Sequence, residues 1–311
     1  MTIATEPSPP GPRFTRHESG DRREHSELSR TARRWVRRGS DATTELTGAA
    51  RMRPDFLIVG AQRCGTTTMF KALVQHPQVL RPFLRKGIHY FDKRYDRGER
   101  WYRGHFPLLA TERLASRRQG GLPVLTGESS PYYMFHPLAP QRIAGELPEV
   151  KLVVLLRDPV IRAYSAHSHE RGRGFEDLEF ADAVAAEPER IAGERERLMA
   201  EPGSDSLHWQ HHAYLTRGQY VEQLRVLEQA VGRDRLCVVD SGRLFSDPRP
   251  VVDEVVAFLG LEPGAPIELE QHNARSRSPL PDDLRLRLER HFEPYDEQLA
   301  SWWGRTPSWR E

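Results

Sequence analysis

The sequence predicts an α/β fold, a P-loop-type parallel sheet flanked by helices on both faces. Three observations lead there. Phe56-Leu-Ile-Val59 and Leu152-Val-Val-Leu-Leu156 are uninterrupted apolar runs of strand length, the pattern of strands buried on both faces. Each run is followed by a turn and a helical pattern, and alternation of strand and helix builds parallel sheets. Finally, the first run enters a turn bracketed by Gly60 and Gly65 before its helix. Backbone amides in such a turn converge on an anion without any side-chain charge.

Taken in order, residues 1–52 are rich in Arg, Ser, Thr, Glu and Pro and nearly devoid of large apolar side chains beyond Trp35. They bury too little to offset ordering entropy and are expected to form a disordered basic tail ahead of a single domain, residues 53–311. After the first strand, Met69, Phe70, Leu73 and Val74 mark a helix over Thr66 to His76, stopped by Pro77. Arg81 to Asp92 carries three cations, a histidine and three aromatics, and is expected as a loop leading to a short helix. Pro123 to Thr126 reads as a strand and Gly127 to Tyr133 as a polar turn at its carboxyl end, where open α/β sheets bind ligands.

Lys151 to Leu156 is the strongest strand. Asp158 and Pro159 then supply an N-cap and first helical residue, so Arg157 emerges at the strand's carboxyl end. Helices are expected over Phe175 to Ala186, Pro188 to Met199 and Ala213 to Val231, with a loop over Glu201 to Trp209. His208, His211 and His212 lack an acidic or cysteine partner at ligand spacing and read as exposed histidines rather than a metal site. Arg235 to Asp240 is a further strand, Pro248 to Leu259 a helix closed by Gly260, Pro266 to Pro281 an irregular segment, and Asp282 to Trp303 the last helix.

The chain has 46 basic and 44 acidic residues in 311, so no overall field favours nucleic acid. Its two cysteines, Cys64 and Cys237, are far apart, which fits a reducing compartment. With no run of 18 apolar residues and no apolar secretory core, a soluble cytoplasmic protein without stable membrane insertion is expected.

The glycine-bracketed turn has the spacing of the nucleotide loop G-x-x-x-x-G-K-[ST], but Thr66 stands where the lysine belongs and the cation lies inside the loop as Arg63. The missing lysine counts against a kinase or ATPase, which needs it on the β- and γ-phosphates. No metal is expected.

Five separate stretches carry a resemblance: Gly60 to Thr67, His89-Tyr-Phe-Asp92, Gly127 to Tyr133, Leu155 to Ser165 and Leu215-Thr-Arg-Gly-Gln-Tyr220. In this order they resemble the sulfotransferase-domain family that includes the heparan sulfate N- and 3-O-sulfotransferases and bacterial relatives, over about Asp55 to Trp309. The resemblance implies 3′-phosphoadenosine 5′-phosphosulfate (PAPS) as donor, and a small-molecule or glycan acceptor sulfated on a hydroxyl or amine. By position, Gln62, Arg63, Cys64, Gly65, Thr66 and Thr67 resemble the 5′-phosphosulfate loop. Arg157 and Ser165 match the pair on the 3′-phosphate, and Asn273 and Arg275 the late loop over the cofactor. An arginine fork with a hydroxyl eight residues on suits one phosphate.

In such a transfer, cations at the bridging oxygen and a general base for the acceptor matter most. Arg63 and Lys86 are the candidate cations. Family members usually read Lys-Glu-x-His-Phe-Phe-Asp, with the glutamate as base, whereas this chain reads Lys86-Gly87-Ile-His89-Tyr-Phe-Asp92. Either His89 or Glu128 replaces that base, His89 being favoured because histidine exchanges protons near neutrality. The alternative is a PAPS-binding protein with impaired transfer. Ser129 also stands where the heparan sulfate enzymes often have lysine.

Overall fold

The computed structural model describes residues 45–83, 86–267 and 279–311. Five parallel strands form one sheet: β1 (Phe56–Gly60), β2 (Val79–Leu80), β3 (Leu125–Ser129), β4 (Lys151–Leu156) and β5 (Leu236–Asp240), in the order β2-β3-β1-β4-β5. Phe56 to Val59 and Leu152 to Leu156 are fully buried, as continuous apolar runs require. From β1 the chain crosses to the β2 edge, then returns past β1 to β4 and β5. The direction reverses at β1, which puts the turn after it at the topological switch point.

Helices α1 (Thr66–Leu73), α2 (Tyr90–Lys93), α3 (Gly98–Arg103), α4 (Leu109–Arg118) and α5 (Ala139–Glu146) precede β4. Between β4 and β5 lie α6 (Pro159–Arg171), α7 (Phe180–Ile191), α8 (Glu194–Ala200), α9 (Leu207–His211) and α10 (Tyr220–Val231); α11 (Ser241–Ser246), α12 (Pro248–Leu259) and α13 (Asp282–Trp303) follow. Right-handed crossovers put α1 on one face of the sheet and α5 and α10 on the other. α1 packs on α12, and α10 on α5 and α13.

Several boundaries differ from the sequence reading, each for a reason distant in sequence. Gly127 and Glu128 belong to β3 rather than to a turn, because the Glu128 carboxylate finds four donors inside the protein. Helix α7 begins at Phe180 and runs through Pro188; Glu176 holds the preceding turn by accepting from the amides of Asp177 and Leu178. The expected helix from Ala213 starts only at Tyr220, since Glu187 draws the amides of Leu215 and Thr216 out of helical pairing at 2.6 and 2.8 Å. Residues 207–211 form α9, not a loop.

His211 and His212 are buried, contrary to expectation: His211 stacks on Phe175 and donates to Glu170 at 2.8 Å, while His212 donates to the Phe175 carbonyl. Among the described residues no histidine, cysteine and carboxylate cluster could hold a metal, and no helix is long and apolar enough to cross a membrane. Most of the expected tail lies outside the described residues, but Met52, at its end, is buried and its amide bonds to the Pro107 carbonyl.

Candidate functional site

The turn after β1 is built as an anion cradle. Arg63 and Gly65 both take left-handed backbone conformations, with φ of 71° and 84°. Gly65 is the N-cap of α1, and having no side chain it leaves the first amides of that helix without a cap. A Cβ at Gly65 would also stand 3.0 Å from the Phe245 ring, so the tight packing of α11 adds to the demand for glycine. No acidic residue occurs in the first turn of α1; Lys86 reaches Thr67 in that turn, and Arg63 and Arg157 are close enough to act on the Cys64 thiol just before it. An anion fits this arrangement.

The cradle's floor is apolar and closed. Cys64 is buried; burial pushes its thiol up to about 11 against the nearby arginines, so it serves as packing rather than as a nucleophile. Its carbonyl accepts from the Ser241 hydroxyl, and its sulfur lies 3.8 Å from the Tyr220 hydroxyl, which in turn donates to the Arg157 carbonyl at 2.8 Å. Tyr220 thereby couples the cradle to the end of β4.

At that end, Asp158 caps α6 by accepting from Val160 and Ile161, with Pro159 as first helical residue, as the sequence predicts. Arg157 is half-buried, and its guanidinium has no hydrogen-bond or ion-pair partner among the described residues. Ser165, two turns along α6 and buried, accepts a hydrogen bond from Arg63 Nε at 3.0 Å. Arg63 and Ser165, separate in sequence, thus meet. Gln62 faces elsewhere: it accepts from Arg217 and donates to Glu170 at 3.3 Å.

The third wall is the loop before α2. Lys86 Nζ donates to Thr67 Oγ1 at 2.6 Å, and burial draws the Lys86 ammonium down to about 7, opposed by Glu128 and aided by Lys71. His89 caps α2 in a left-handed conformation, and its Nδ1 donates to Asp92 Oδ2 at 2.8 Å. The acceptor there is a carboxylate, so in neutral His89 the lone pair lies on Nε2. That nitrogen is 3.5 Å from where a Cβ on Gly87 would sit. Histidine therefore reaches the space beside the glycine. Glu128 is fully buried: Oε1 accepts from Tyr102 and Tyr133, Oε2 from the Ile88 amide and Ser130, and burial raises its carboxyl. Such a carboxylate fastens the loop to β3 and has no lone pair turned toward an acceptor.

Asn273 and Arg275 lie outside the described residues. Three residues with no role in the sequence reading stand out. Asp92 orients His89. Arg217, 3% exposed, bonds Gln62 and the carbonyls of Trp209 and Gln210, and lies over the rings of Tyr132 and Phe135. Glu170 pairs with His211 and reaches Gln62. The signal for the first two was their place inside the quoted stretches; Glu170 gave none.

A family model described as "Sulfotransferase domain" matches residues 53–276. The chain is 30% identical over 223 residues to the human bifunctional heparan sulfate N-deacetylase/N-sulfotransferase 3, covering 68% of this chain but 22% of that protein. It is 26% identical over 293 residues to the mouse heparan sulfate glucosamine 3-O-sulfotransferase 6, covering 85% of this chain and 76% of that one. Among solved structures, a sulfotransferase from Alicyclobacillus acidocaldarius superposes with a TM-score of 0.61 at 29% identity, over 84% of this chain and all of that one. The chain spans only about a fifth of the length of the bifunctional relatives. Its cradle, sheet and family match together make it a member of the sulfotransferase-domain family.

Proposed function

We propose that the protein transfers a sulfuryl group from PAPS to a hydroxyl or amine of a small-molecule or glycan acceptor. The observation that carries this reading is the meeting of three partners at the carboxyl edge of β1, β3 and β4: an uncapped helix N-terminus, the Arg63–Ser165 contact beside Arg157, and the His89–Asp92 pair. PAPS, when bound, supplies the activated sulfuryl group. The α1 amides and Thr66 would hold its 5′ side and Arg157 and Ser165 its 3′-phosphate, while Arg63, expected on the 5′ side, bridges the two through its bond to Ser165. His89 Nε2, oriented through Nδ1 by Asp92, takes the acceptor proton, while Glu128 holds the loop that carries it. Positioning and charge compensation by these groups do most of the work, as in phosphoryl transfer.

Calorimetric titration with 3′-phosphoadenosine 5′-phosphate (PAP), beside ATP with Mg²⁺, tests the donor. PAP is expected to bind without metal and Arg157→Ala to lose at least tenfold in affinity; preference for ATP with Mg²⁺ would sink the reading. A second reading, nucleotide binding without transfer, is favoured by Gly87. A Cβ there would meet the Ser129 carbonyl at 2.9 Å, so the loop as folded leaves no room for the family's glutamate. Absence of labelled sulfate transfer across amino- and hydroxyl-sugar acceptors, with PAP binding intact, would favour that alternative.

A further inference from the structure

Among the described residues, Arg162 is the largest side chain shut fully away from solvent. It projects from the first two turns of α6, and only part of its guanidinium is matched. Nη2 donates to the Tyr214 carbonyl, whereas Nε and Nη1 have no hydrogen-bond partner among the described residues. The carboxylates of the surrounding elements are engaged elsewhere. Asp158, one turn earlier on α6, accepts from the amides of Val160 and Ile161; Glu187 accepts from those of Leu215 and Thr216; Glu170 is held by His211, Arg173 and Gln62. Arginine stays protonated inside proteins, so Arg162 is a buried cation without a counter-charge.

That charge lies behind the turn after β1. Burial raises the Cys64 thiol, and of the cations opposing the rise Arg162 acts more strongly than Arg157 or Arg63. Cys64 directly precedes Gly65 and the uncapped start of α1. Tyr220 feels the same charge, and Arg217, also buried, is lowered by burial and by the like charge of Arg162. Two buried cations therefore push against each other on the closed side of the turn, while Arg63 and Arg157 stand half-buried at its other side. Burying unpaired cations is costly. An anion seated in the turn offsets that cost.

We infer that Arg162 is a positioning residue for the donor, holding its anionic groups in the turn from behind by charge alone, without touching them. The inference rests on the donor reading above. Such a charge acts through protein rather than water, so salt screens it little. It also sets two properties against each other: the same guanidinium lowers the stability of the free protein and raises its affinity for the anion.

The test is PAP calorimetry with urea unfolding, on the full chain as wild type, Arg162→Met, Arg162→Gln and Arg162→Lys. At about 10 Å and an effective dielectric of about 20, a unit charge changes affinity about tenfold for each charge on the ligand. Arg162→Met and Arg162→Gln are thus expected to lose about 10–100-fold in PAP affinity, in low and high salt alike. Without ligand, Arg162→Met should unfold at a higher urea concentration than wild type. Glutamine keeps a donor for the Tyr214 carbonyl, and it carries the test if the methionine variant does not fold. Arg162→Lys places there a cation that can shed its proton, so its PAP affinity should approach wild type at about pH 6 and fall toward that of the neutral variants at about pH 9. A merely structural arginine gives no such dependence. Neutral variants that bind PAP within twofold of wild type, or a lysine variant as weak as the neutral ones at about pH 6, would overturn the proposal alone. Failure of wild type to bind PAP would overturn the donor reading and this proposal together.

Discussion

Replacing Asp92 by Asn isolates the step that distinguishes a transferase from a nucleotide-binding relative. Asp92 is buried, its side chain has no exposed area, and its Oδ2 accepts from His89 Nδ1 at 2.8 Å. When His89 takes the acceptor proton it becomes a cation beside that carboxylate. Opposite charges about 4 Å apart attract by about 4 kcal/mol at an effective dielectric of about 20, equivalent to about a thousandfold in rate. The imidazole is 35% exposed, which screens part of this and brings the expectation to about 10²–10³-fold. Asparagine either keeps its carbonyl toward Nδ1 and loses the charge, or turns its amide there and forces the proton onto Nε2. The first weakens His89 as a base, and the second removes the Nε2 lone pair it needs. The assay is single-turnover transfer of labelled sulfate, with PAP calorimetry as control. Asp92→Asn should lower kcat by that factor and leave PAP affinity within about twofold. The double variant with His89→Ala should be no worse than His89→Ala. A kcat within threefold of wild type, or additive losses in the double variant, would refute the dyad.

Gly87→Ala should cost about 1–3 kcal/mol in urea unfolding and lower transfer, since its Cβ must push the Ser129 carbonyl from 2.9 Å; a gain in rate would contradict this. Arg217→Ala leaves the Trp209 and Gln210 carbonyls and Gln62 without their donor and should destabilise by about 3 kcal/mol or more, measured by denaturant titration. Glu176 resists desolvation through Arg190, the Leu178 amide and Tyr214, which hold its carboxyl at about 2. Its pKa is lowered on folding, so it contributes stability above about pH 4.5 that is lost as pH falls toward 2, at most about 3 kcal/mol. Glu176→Gln should flatten that part of the stability–pH curve; an unchanged curve would remove Glu176 from the account.

The elements legible in the sequence are those whose causes are local. The apolar runs of β1 and β4, the Asp158–Pro159 start of α6 and the span of α13 needed only neighbouring residues. The end of β3 reads as a turn because Glu128 is charged, and only Tyr102 and Tyr133, placed around it by the fold, make it a strand residue. The break before α10 depends on Glu187, 28 residues from Leu215. Within the site, the glycine turn and Arg157 were apparent from pattern, whereas the contacts of Lys86 with Thr67 and Arg63 with Ser165 join separate elements and have no sequence period.

Gln62 bears on how the chain between α6 and α10 is attached. That stretch leaves the sheet region just after Glu170 and re-enters at Arg217, and both residues bond the same glutamine. The two ends are cinched at one point, like the neck of a purse. With its ends held together, the exposed turns between its helices can lengthen at little thermodynamic expense, because each doubling of a flexible loop adds only about 0.6 kcal/mol of closure entropy. Insertions in the exposed turn at residues 201–203, with Glu170, Arg217 and Gln62 retained, are therefore expected to leave the fold intact.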